Sequence, residues 1–301
     1  MKKKTPVILC VDTGIDDAIG ISIASMLNFV DIKLIVCDEG NSSIENITKN
    51  TMGVLDTIKA KNIPIVKGYK DKNYRFVFSA HGNNGLSGYT FPKSEREILN
   101  DDASSVIYKT LKENQGTFVF ILGPQTSIAH TLKTYPDAKN LISKLVIMCG
   151  SLNEKLDTKK PYTEFNVSSN PEAAEIVLSS GIETLIVPSE IGTTCTLDYF
   201  DIYKTKNTNY TGSFFEILFR NYHHRKVSRG VATCDLVTIL APFYSEIYEI
   251  KPVYAFVKYF DNVKTGVCLF DFDHKPNMKI CTNINKDKFK KLYFKLLKKL
   301  P

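Results

Sequence analysis

Short apolar runs alternate along the chain with segments of helical periodicity. Six of the runs are apolar almost throughout and rich in β-branched residues, a pattern typical of strands covered on both faces of a parallel sheet. The predicted strands span residues 7–11, 32–37, 63–66, 117–122, 145–149 and 183–187. The predicted helices between them span residues 16–27, 44–59, 103–113, 127–134 and 171–179. This alternation predicts an α/β fold with an open, doubly wound, mostly parallel sheet (Rossmann-like) and helices on both faces.

The last third of the chain has a different pattern. Residues 214–222 and 235–240 are predicted helices, and residues 253–259 and 266–272 are consecutive strands that predict an antiparallel hairpin. Residues 286–299 combine seven lysines with spaced apolar residues, which predicts an amphipathic helix with a solvated lysine face. No linker or repeat interrupts residues 1–301, so we expect a single domain with a small C-terminal antiparallel elaboration.

The composition is that of an ordinary globular protein, because 43% of the 301 residues are hydrophobic and 24% are charged. No apolar run approaches the roughly 18–20 residues that a membrane span needs, and the run at 7–11 is too short for a signal peptide. The seven cysteines form no Cys-x-x-Cys pair, which favours reduced thiols over disulfides or structural zinc. We therefore expect a cytoplasmic protein with no membrane partner.

The formal net charge of +7 raises the question of a polyanionic partner. Most of the net charge lies in the C-terminal lysine-rich segment, where a solvated helix face accounts for it. An anionic surface or partner at this helix stays open as the lesser alternative. The chain has no aromatic–basic motif of the kind that binds nucleic acid, so no nucleic-acid partner is expected.

An acidic turn follows the first predicted strand. Asp12 ends the strand and Asp16 and Asp17 open the next helix, with Gly14 permitting the sharp turn between them. Three carboxylates this close repel one another unless a cation or a hydrogen-bonded polyol lies between them, so a metal or sugar site is favoured. The alternative is that Asp16 caps the helix and Asp17 complements its dipole, which leaves Asp12 unexplained. An Asp-x-Asp phosphatase is disfavoured, because Cys10 stands where its nucleophile would be.

Further short motifs lie along the chain, most of them just after a predicted strand. They are Asp38-Glu-Gly-Asn41, His81-Gly-Asn-Asn-Gly-Leu86, Leu122-Gly-Pro-Gln-Thr-Ser127, Met148-Cys-Gly150, Glu164-Phe-Asn166 followed by Asn170-Pro-Glu-Ala-Ala174, and Thr233-Cys-Asp235. With the acidic turn, their order and spacing over roughly residues 5–245 resemble the inosine–uridine-preferring nucleoside hydrolases, whose turn reads Asp-x-Asp-Pro-Gly-x-Asp-Asp.

The resemblance implies an enzyme that hydrolyses the N-glycosidic bond of ribonucleosides to free nucleobase and ribose, with Ca²⁺ as cofactor. It implies that Asp12 is the general base and a calcium ligand. The other implied protein ligands are Asp17, Asp235 and the backbone carbonyl of Thr126. An all-oxygen ligand set also suits Mg²⁺, so the identity of the metal stays open.

The resemblance also implies which residues bind and activate the nucleoside. The implied ribose- and substrate-binding residues are Asp16, Asn41, Met148, Glu164, Asn166 and Asp235. At the nucleobase end, the implied residues are His81 and Cys234, which are the catalytic candidates, together with His223 and His224. The alternatives stay open that His223 and His224 belong to a plain surface cluster, that His81 is a solvated loop residue and that Cys234 is a small buried apolar residue. Cys234 stands where one branch of the family has a histidine that protonates the departing base, and resembles a second branch with cysteine there. A neutral thiol is a poor acid, so the source of that proton stays open.

Thr13 stands where the turn of the family has proline, and three further positions depart from the usual family pattern. Cys10 replaces the first aspartate of the turn, Thr158 replaces an asparagine, and Cys234 replaces the histidine. These departures keep a second hypothesis open, that of a nucleoside- or ribose-binding homologue with weak or lost hydrolase activity. Because the family commonly forms oligomers, the resemblance also implies a homodimer or homotetramer.

Overall fold

The computed structural model describes residues 4–60, 62–70, 81–153, 163–220, 222, 230–259 and 266–301. The strands are β1 (Thr5–Val11), β2 (Val30–Cys37), β3 (Ile65–Lys67), β4 (Thr117–Ile121), β5 (Ile142–Met148), β6 (Thr184–Val187), β7 (Tyr248–Tyr259), β8 (Gly266–Asp271) and β9 (Met278–Ile284). The helices are α1 (Ile15–Met26), α2 (Ile44–Thr57), α3 (Ala103–Glu113), α4 (Thr126–Thr134), α5 (Phe165–Ser169), α6 (Pro171–Leu178), α7 (Ser189–Thr194), α8 (Tyr199–Lys206), α9 (Tyr210–Arg220), α10 (Cys234–Leu240) and α11 (Lys286–Leu297). Short 3-10 helices span Pro136–Asn140 and Ser245–Ile247.

The strands of the described residues form one sheet in the order β3-β2-β1-β4-β5-β6-β9-β7-β8. Every pair from β3 to β9 in this order is parallel, whereas β7 runs antiparallel to both β9 and β8. The chain winds outward from β1 in both directions. The predicted open, doubly wound and mostly parallel α/β sheet is therefore confirmed.

Helices cover both faces of the sheet, and each face has its own apolar layer. Helices α1, α2, α9, α10 and α11 pack on one face, and α3, α4 and α6 pack on the other. Successive residues of a strand point to opposite faces, so in β1 Leu9 belongs to the first layer and Ile8 and Cys10 to the second. Burial on both sides explains why the predicted strands are apolar almost throughout.

The C-terminal third differs from the prediction in one respect. Strand β9, which the sequence pattern does not predict, pairs with β6 in parallel and extends the main sheet. The predicted antiparallel hairpin is confirmed as β7 and β8, although its turn at 260–265 lies outside the described residues. Helix α11 begins after Asn285, whose side chain accepts a hydrogen bond from Lys288 N at 3.0 Å, and it buries Phe289 and Tyr293 completely. The predicted amphipathic helix is thus part of the core.

The cysteine prediction also agrees with the structure. All seven cysteines are free thiols, and only Cys234 is more than slightly exposed. None of the helices within the described ranges combines the length and apolar character needed to span a membrane.

The order of the strands determines where a ligand can bind. Strand β1 lies between β2 and β4, and the helices that follow β1 and β4 pack on opposite faces of the sheet. A crevice opens at such a switch point, outside the carboxyl ends of the strands. Asp12 directly follows β1 and Asp38 directly follows β2, while Gly123 lies just beyond the end of β4. These ends bring together the motifs identified in the sequence.

Candidate active site

The acidic turn connects β1 directly to α1. Gly14 is the N-cap residue of α1, and its backbone N–H donates to Asp17 Oδ2 at 2.8 Å. The alternative in which Asp16 caps this helix is therefore wrong, and Asp16 is free to serve another purpose. The second oxygen of Asp17, Oδ1, is buried and has no hydrogen-bond partner among the described residues. A buried carboxylate oxygen without a donor is costly unless a ligand satisfies it.

Asp12 is buried at the tip of β1, where two loops surround its carboxylate. Asn41 N donates to Asp12 Oδ2 at 2.8 Å, and Asn41 Nδ2 donates to the Asp12 carbonyl at 3.2 Å. Gly40 and Gly123 flank the two carboxylate oxygens so closely that a Cβ at either position would lie 2.1 Å from Oδ2 or 2.7 Å from Oδ1. The glycines thus let the backbones of two loops approach Asp12. Asn41, which the resemblance assigns to the ribose, here also fixes Asp12.

A second segment, more than 200 positions further along the chain, completes the acidic site. Asp16, Asp17 and Asp235 each offer a carboxylate oxygen, and these oxygens all lie within 4.8 Å of one another. Asp235 lies in the first turn of α10, which packs against α1 where Gly20 faces Ile239. All three acids are buried. The structure thus brings together Asp17 and Asp235 of the expected ligands with Asp16, whereas Asp12 is not one of this group of three.

The electrostatics of these acids explain what the cluster needs. Burial, and then the charge of Asp17, raises the pKa of Asp12 well above its ordinary value. Burial raises the pKa of Asp17 to about 7, with Asp16 contributing next. Burial and the charges of Asp16, Asp17 and Asp12 likewise raise the pKa of Asp235. A cation among these side chains would relieve both the desolvation and the repulsion.

The residues present fit a hard divalent cation. The donor atoms are all carboxylate oxygens, one of them the unpartnered Oδ1 of Asp17, which is the chemistry that Ca²⁺ and Mg²⁺ prefer. The loop before α4 approaches the same place, because Gly123 contacts Asp12. Thr126, the first residue of α4, is buried, and its hydroxyl accepts a hydrogen bond from Asn170 Nδ2 at 3.3 Å.

Glu164 and Asn166 line the carboxyl ends of β4 and β5. The Glu164 carboxylate caps α5 by accepting from the backbone N–H groups of Asn166, Val167 and Gly150 at 2.9, 3.1 and 3.2 Å. Burial raises the pKa of Glu164 to about 7. Asn166 Nδ2 donates to the carbonyls of Leu122 and Met148 at 2.6 and 3.0 Å, which leaves its Oδ1 for another donor. Met148 also lies against Asn166, with Sδ at 3.2 Å from Nδ2.

His81 reaches the acidic turn from a separate loop. Its Nδ1 accepts a hydrogen bond from Ile15 N at 3.0 Å, so a neutral His81 carries its proton on Nε2. That Nε2 lies 3.6 Å from Asp16 Oδ1. The loop is anchored by Asn50, whose Nδ2 donates to the carbonyls of Thr13 and Asn84 at 3.1 and 2.8 Å. The sequence gives no signal for this role of Asn50, because it lies inside helix α2.

Cys234 and Tyr222 lie beside the acids at the open side of the cluster. Cys234 begins α10, and its Sγ lies 3.9 Å from the carbonyl of Ser189. Burial, followed by the charge of Asp16, raises the pKa of Cys234 well above its ordinary value, so the thiol is neutral. Tyr222 packs edge-on against His81 with ring centroids 5.5 Å apart. The other residues expected nearby, His223 and His224, lie outside the described residues, as does Thr158.

Comparisons with known proteins agree with this geometry. The family model for "inosine-uridine preferring nucleoside hydrolase" matches residues 7–291. The non-specific ribonucleoside hydrolase RihC of Escherichia coli O127:H6 is 29% identical over 99% of this chain and 100% of its own length. RihC of Escherichia coli strain SMS-3-5 is 30% identical over 90% of this chain and 89% of its own length.

Solved structures agree on the fold. A purine-preferring ribonucleoside hydrolase from Gardnerella vaginalis superimposes with a TM-score of 0.87 at 23% identity, covering 98% of both chains. An inosine-uridine preferring nucleoside hydrolase from Bacillus anthracis gives a TM-score of 0.82 at 18% identity, covering 98% of this chain and 100% of that one. The chain belongs to the inosine-uridine preferring nucleoside hydrolase family. It is an enzyme that cleaves nucleosides.

Proposed function

We propose that this enzyme hydrolyses the N-glycosidic bond of ribonucleosides to free nucleobase and ribose, with Ca²⁺ as its resident cation. The observation that carries the proposal is the buried convergence of Asp16, Asp17 and Asp235 beside Asp12. The names of the curated relatives, which are non-specific ribonucleoside hydrolases, support ribonucleosides as the substrate class.

The proposed protein ligands of the cation are Asp12, Asp17, Asp235 and the Thr126 carbonyl. When bound, Ca²⁺ offsets the negative charge of the carboxylates and coordinates hydroxyl groups of the ribose. We favour Ca²⁺ because it accepts several carboxylates and a carbonyl together, whereas Mg²⁺ usually keeps several waters and one or two carboxylates. The proximity of Asp16 to Asp17 and Asp235 supports Asp16 as a further acidic group of this site.

Asp12 is the proposed general base. Asn41 N holds its Oδ2, and Gly40 and Gly123 confine the carboxylate, so its direction is fixed before substrate binds. Asp12 takes a proton from the attacking water while that water bonds to C1′ of the ribose. The N-glycosidic bond breaks and its electron pair leaves with the nucleobase. General-base assistance of this kind contributes about 10²–10⁴-fold.

The ribose is proposed to bind across the ends of β1, β4 and β5. The proposed hydroxyl contacts are Asp16, Asn41, Glu164, Asn166 and Asp235, with Met148 packing against the substrate. The free Oδ1 of Asn166 supports its assignment as an acceptor for a ribose hydroxyl, because its Nδ2 is already committed to two carbonyls. Glu164 already accepts three backbone N–H groups, so its orientation toward a hydroxyl donor is fixed.

The nucleobase end is proposed to include His81, Cys234, His223 and His224. His81 has the better chemistry for donating a proton or hydrogen bond, because its acceptor contact to Ile15 N places the proton on Nε2. A neutral Cys234 with a raised pKa is a weak acid, which supports a role for its thiol in contacting the base rather than protonating it.

The direct test is ribose release from a panel of purine and pyrimidine ribonucleosides by a reducing-sugar assay. Asp12→Asn is expected to lower kcat by about 10²–10⁴-fold while nucleoside binding persists, because the amide cannot take a proton from water but keeps an oxygen that can contact the cation. Asp31→Asn is the matched control, because Asp31 is a surface residue that pairs with Lys33 and is not one of the proposed site residues. Near wild-type turnover by Asp12→Asn would contradict the assignment of the base.

Two further measurements separate the alternatives. Calorimetric binding of inosine without ribose release by the wild-type enzyme would overturn the proposal in favour of a nucleoside-binding homologue. Removal of cations with EGTA should abolish turnover, and Ca²⁺ should restore it at lower concentration than Mg²⁺. Recovery with Mg²⁺ alone would contradict the choice of calcium. A homodimer or homotetramer remains the proposed assembly, and sedimentation velocity tests it.

A further inference from the structure

A second buried carboxylate lies beside the acidic site but outside the proposed ligand set. Asp38 follows β2 and is 1% exposed. Its Oδ1 accepts a hydrogen bond from Tyr69 N at 3.2 Å and a short one from the Ser127 hydroxyl. Gly68 packs directly against this pair, since a Cβ there would lie 2.2 Å from Asp38 Oδ1 and 2.5 Å from Ser127 Oγ. Asp38 Oδ1 therefore occupies a closely packed position, whereas Oδ2 is buried without a hydrogen-bond partner among the described residues.

Asp38 fixes the beginning of helix α4. Its partner Ser127 is the second residue of α4 and directly follows Thr126, whose carbonyl is a proposed ligand. Tyr69, the other partner of Asp38, stacks on His130 one turn further along the same helix, with ring centroids 4.1 Å apart. The Tyr69 hydroxyl donates in turn to Asp102 Oδ2 at 2.5 Å. The end of β2 thus holds α4 at two successive turns.

The start of α4 is also the segment that touches Asp12. Gly123 lies three residues before Thr126 and packs against Asp12 Oδ1. A movement of the first turn of α4 would therefore move both the Thr126 carbonyl and the wall that confines the Asp12 carboxylate. Asp38 therefore acts on Asp12 and on the Thr126 carbonyl indirectly, through this segment.

Cys10 of strand β1 lies diagonally across from Asp38, two positions back in the β1–β2 register. Cys10 pairs in register with Val36, and the alternation of side chains places Asp38 on the same face of the sheet as Cys10. The charge of Asp38 also contributes, after burial, to raising the pKa of the Cys10 thiol, which agrees with this proximity. At position 10 the turn motif has a cysteine instead of the first aspartate of Asp-x-Asp. Strand β1 therefore carries no carboxylate at this position, whereas Asp38 at the end of β2 supplies one.

We infer that Asp38 is a positioning residue of the active site, and that it provides from β2 the buried carboxylate that position 10 of β1 lacks. The inference rests on the proposed function, because the residues that Asp38 positions are the proposed base and a proposed ligand. The inference predicts that a carboxylate introduced at position 10 can replace the carboxylate of Asp38.

The test compares Asp38→Val, Cys10→Asp and the double variant Cys10→Asp/Asp38→Val. Asp38→Val is expected to lower kcat and the calcium affinity by 10-fold or more each, the range seen when groups behind metal ligands are removed. The double variant is expected to recover at least 10-fold in both. Cys10→Asp alone places two carboxylates together and is expected to melt below the wild type. Asp198→Asn is the control, because Asp198 is an acid that accepts hydrogen bonds at the start of another helix, α8.

Gly68→Ala tests the same contact without removing the carboxylate. The added methyl group displaces Asp38 and Ser127, so the variant is expected to reproduce the lowered kcat and calcium affinity of Asp38→Val. If Asp38→Val does not fold, Asp38→Asn and Ser127→Ala weaken the contact more mildly and must show the same two losses.

The results that overturn the inference are distinct from those that overturn the proposed function. Wild-type kcat and calcium affinity in Asp38→Val, or a double variant no better than Asp38→Val, would refute the role of Asp38. Absence of ribose release by the wild-type enzyme would refute the proposed function, and the exchange between positions 10 and 38 would then be decided by calorimetric titration of the same variants with Ca²⁺.

Discussion

The acidic cluster predicts that removal of one of its charges stabilises the metal-free protein. Asp17 is the sharpest case, because burial and the neighbouring Asp16 raise its pKa from 3.8 to about 7. The folded protein therefore holds the Asp17 proton more tightly than the unfolded chain does. Stability from this group is complete below about pH 3.8 and is lost as the pH rises to about 7.

The size of the effect follows from the same pKa. Each pKa unit corresponds to about 1.4 kcal/mol, so ionisation of Asp17 costs the metal-free protein roughly 4 kcal/mol at pH 8. Asp17→Asn removes this cost, and its side-chain oxygen can still accept from Gly14 N. At about 2 °C for each kcal/mol in a chain of this size, the variant is expected to melt about 8 °C above the wild type at pH 8 in EGTA.

Calcium is expected to remove most of this difference. A ligand that binds only the folded state at 100 times its Kd adds about 2.7 kcal/mol, and the wild type should gain this stability while Asp17→Asn gains little. The assay is a thermal melt at pH 5 and pH 8, with EGTA or with Ca²⁺, and Asp31→Asn is the exposed control. If Asp17→Asn melts below the wild type at pH 8 in EGTA, the reasoning about repulsion within the cluster is wrong.

Three further predictions concern other positions. Gly40→Ala places a methyl group 2.1 Å from Asp12 Oδ2, and kcat in the ribose assay should fall by about 10²-fold, on the scale of lost general-base help; an unchanged kcat would contradict the confinement of Asp12. Because the pKa of Glu164 is raised to about 7, Glu164→Gln should reduce the loss of thermal stability between pH 5 and pH 8, and an unaltered pH profile would contradict this. Phe289→Ala empties a fully buried position and should lower the urea-derived free energy of unfolding by about 3–5 kcal/mol; a loss below about 1 kcal/mol would mean that α11 is peripheral.

Most of the sheet could be predicted from sequence because its strands are covered on both faces. An apolar run such as β1 needs no knowledge of its neighbours to be recognised as buried. Strand β9 fails this criterion, since exposed Lys279 and Asn283 alternate with its buried residues. Its place beside β6 depends on pairing with residues almost a hundred positions away, which no local pattern records.

The site was partly predictable for a similar reason. The acids at the tip of β1 form a local motif, and the order of the motifs along the chain links them to Asp235. The disfavoured alternative, in which Asp16 caps α1, is wrong because Gly14 is the N-cap residue and its backbone N–H donates to the side chain of Asp17. The position of Asp38 was not predictable, because its principal partner Ser127 lies 89 residues later in the chain. Long-range partners decide which buried polar groups are tolerated.

The separation of the acidic residues along the chain has a consequence for biosynthesis. Asp16 and Asp17 leave the ribosome early, but the cluster is incomplete until α10 has been synthesised and has packed against α1. A nascent chain that ends before Asp235 thus lacks one side of the proposed cation site, and tight binding of the ion is expected only after the protein has reached its full topology. Loading of this proposed site is therefore expected to follow translation of nearly four-fifths of the polypeptide.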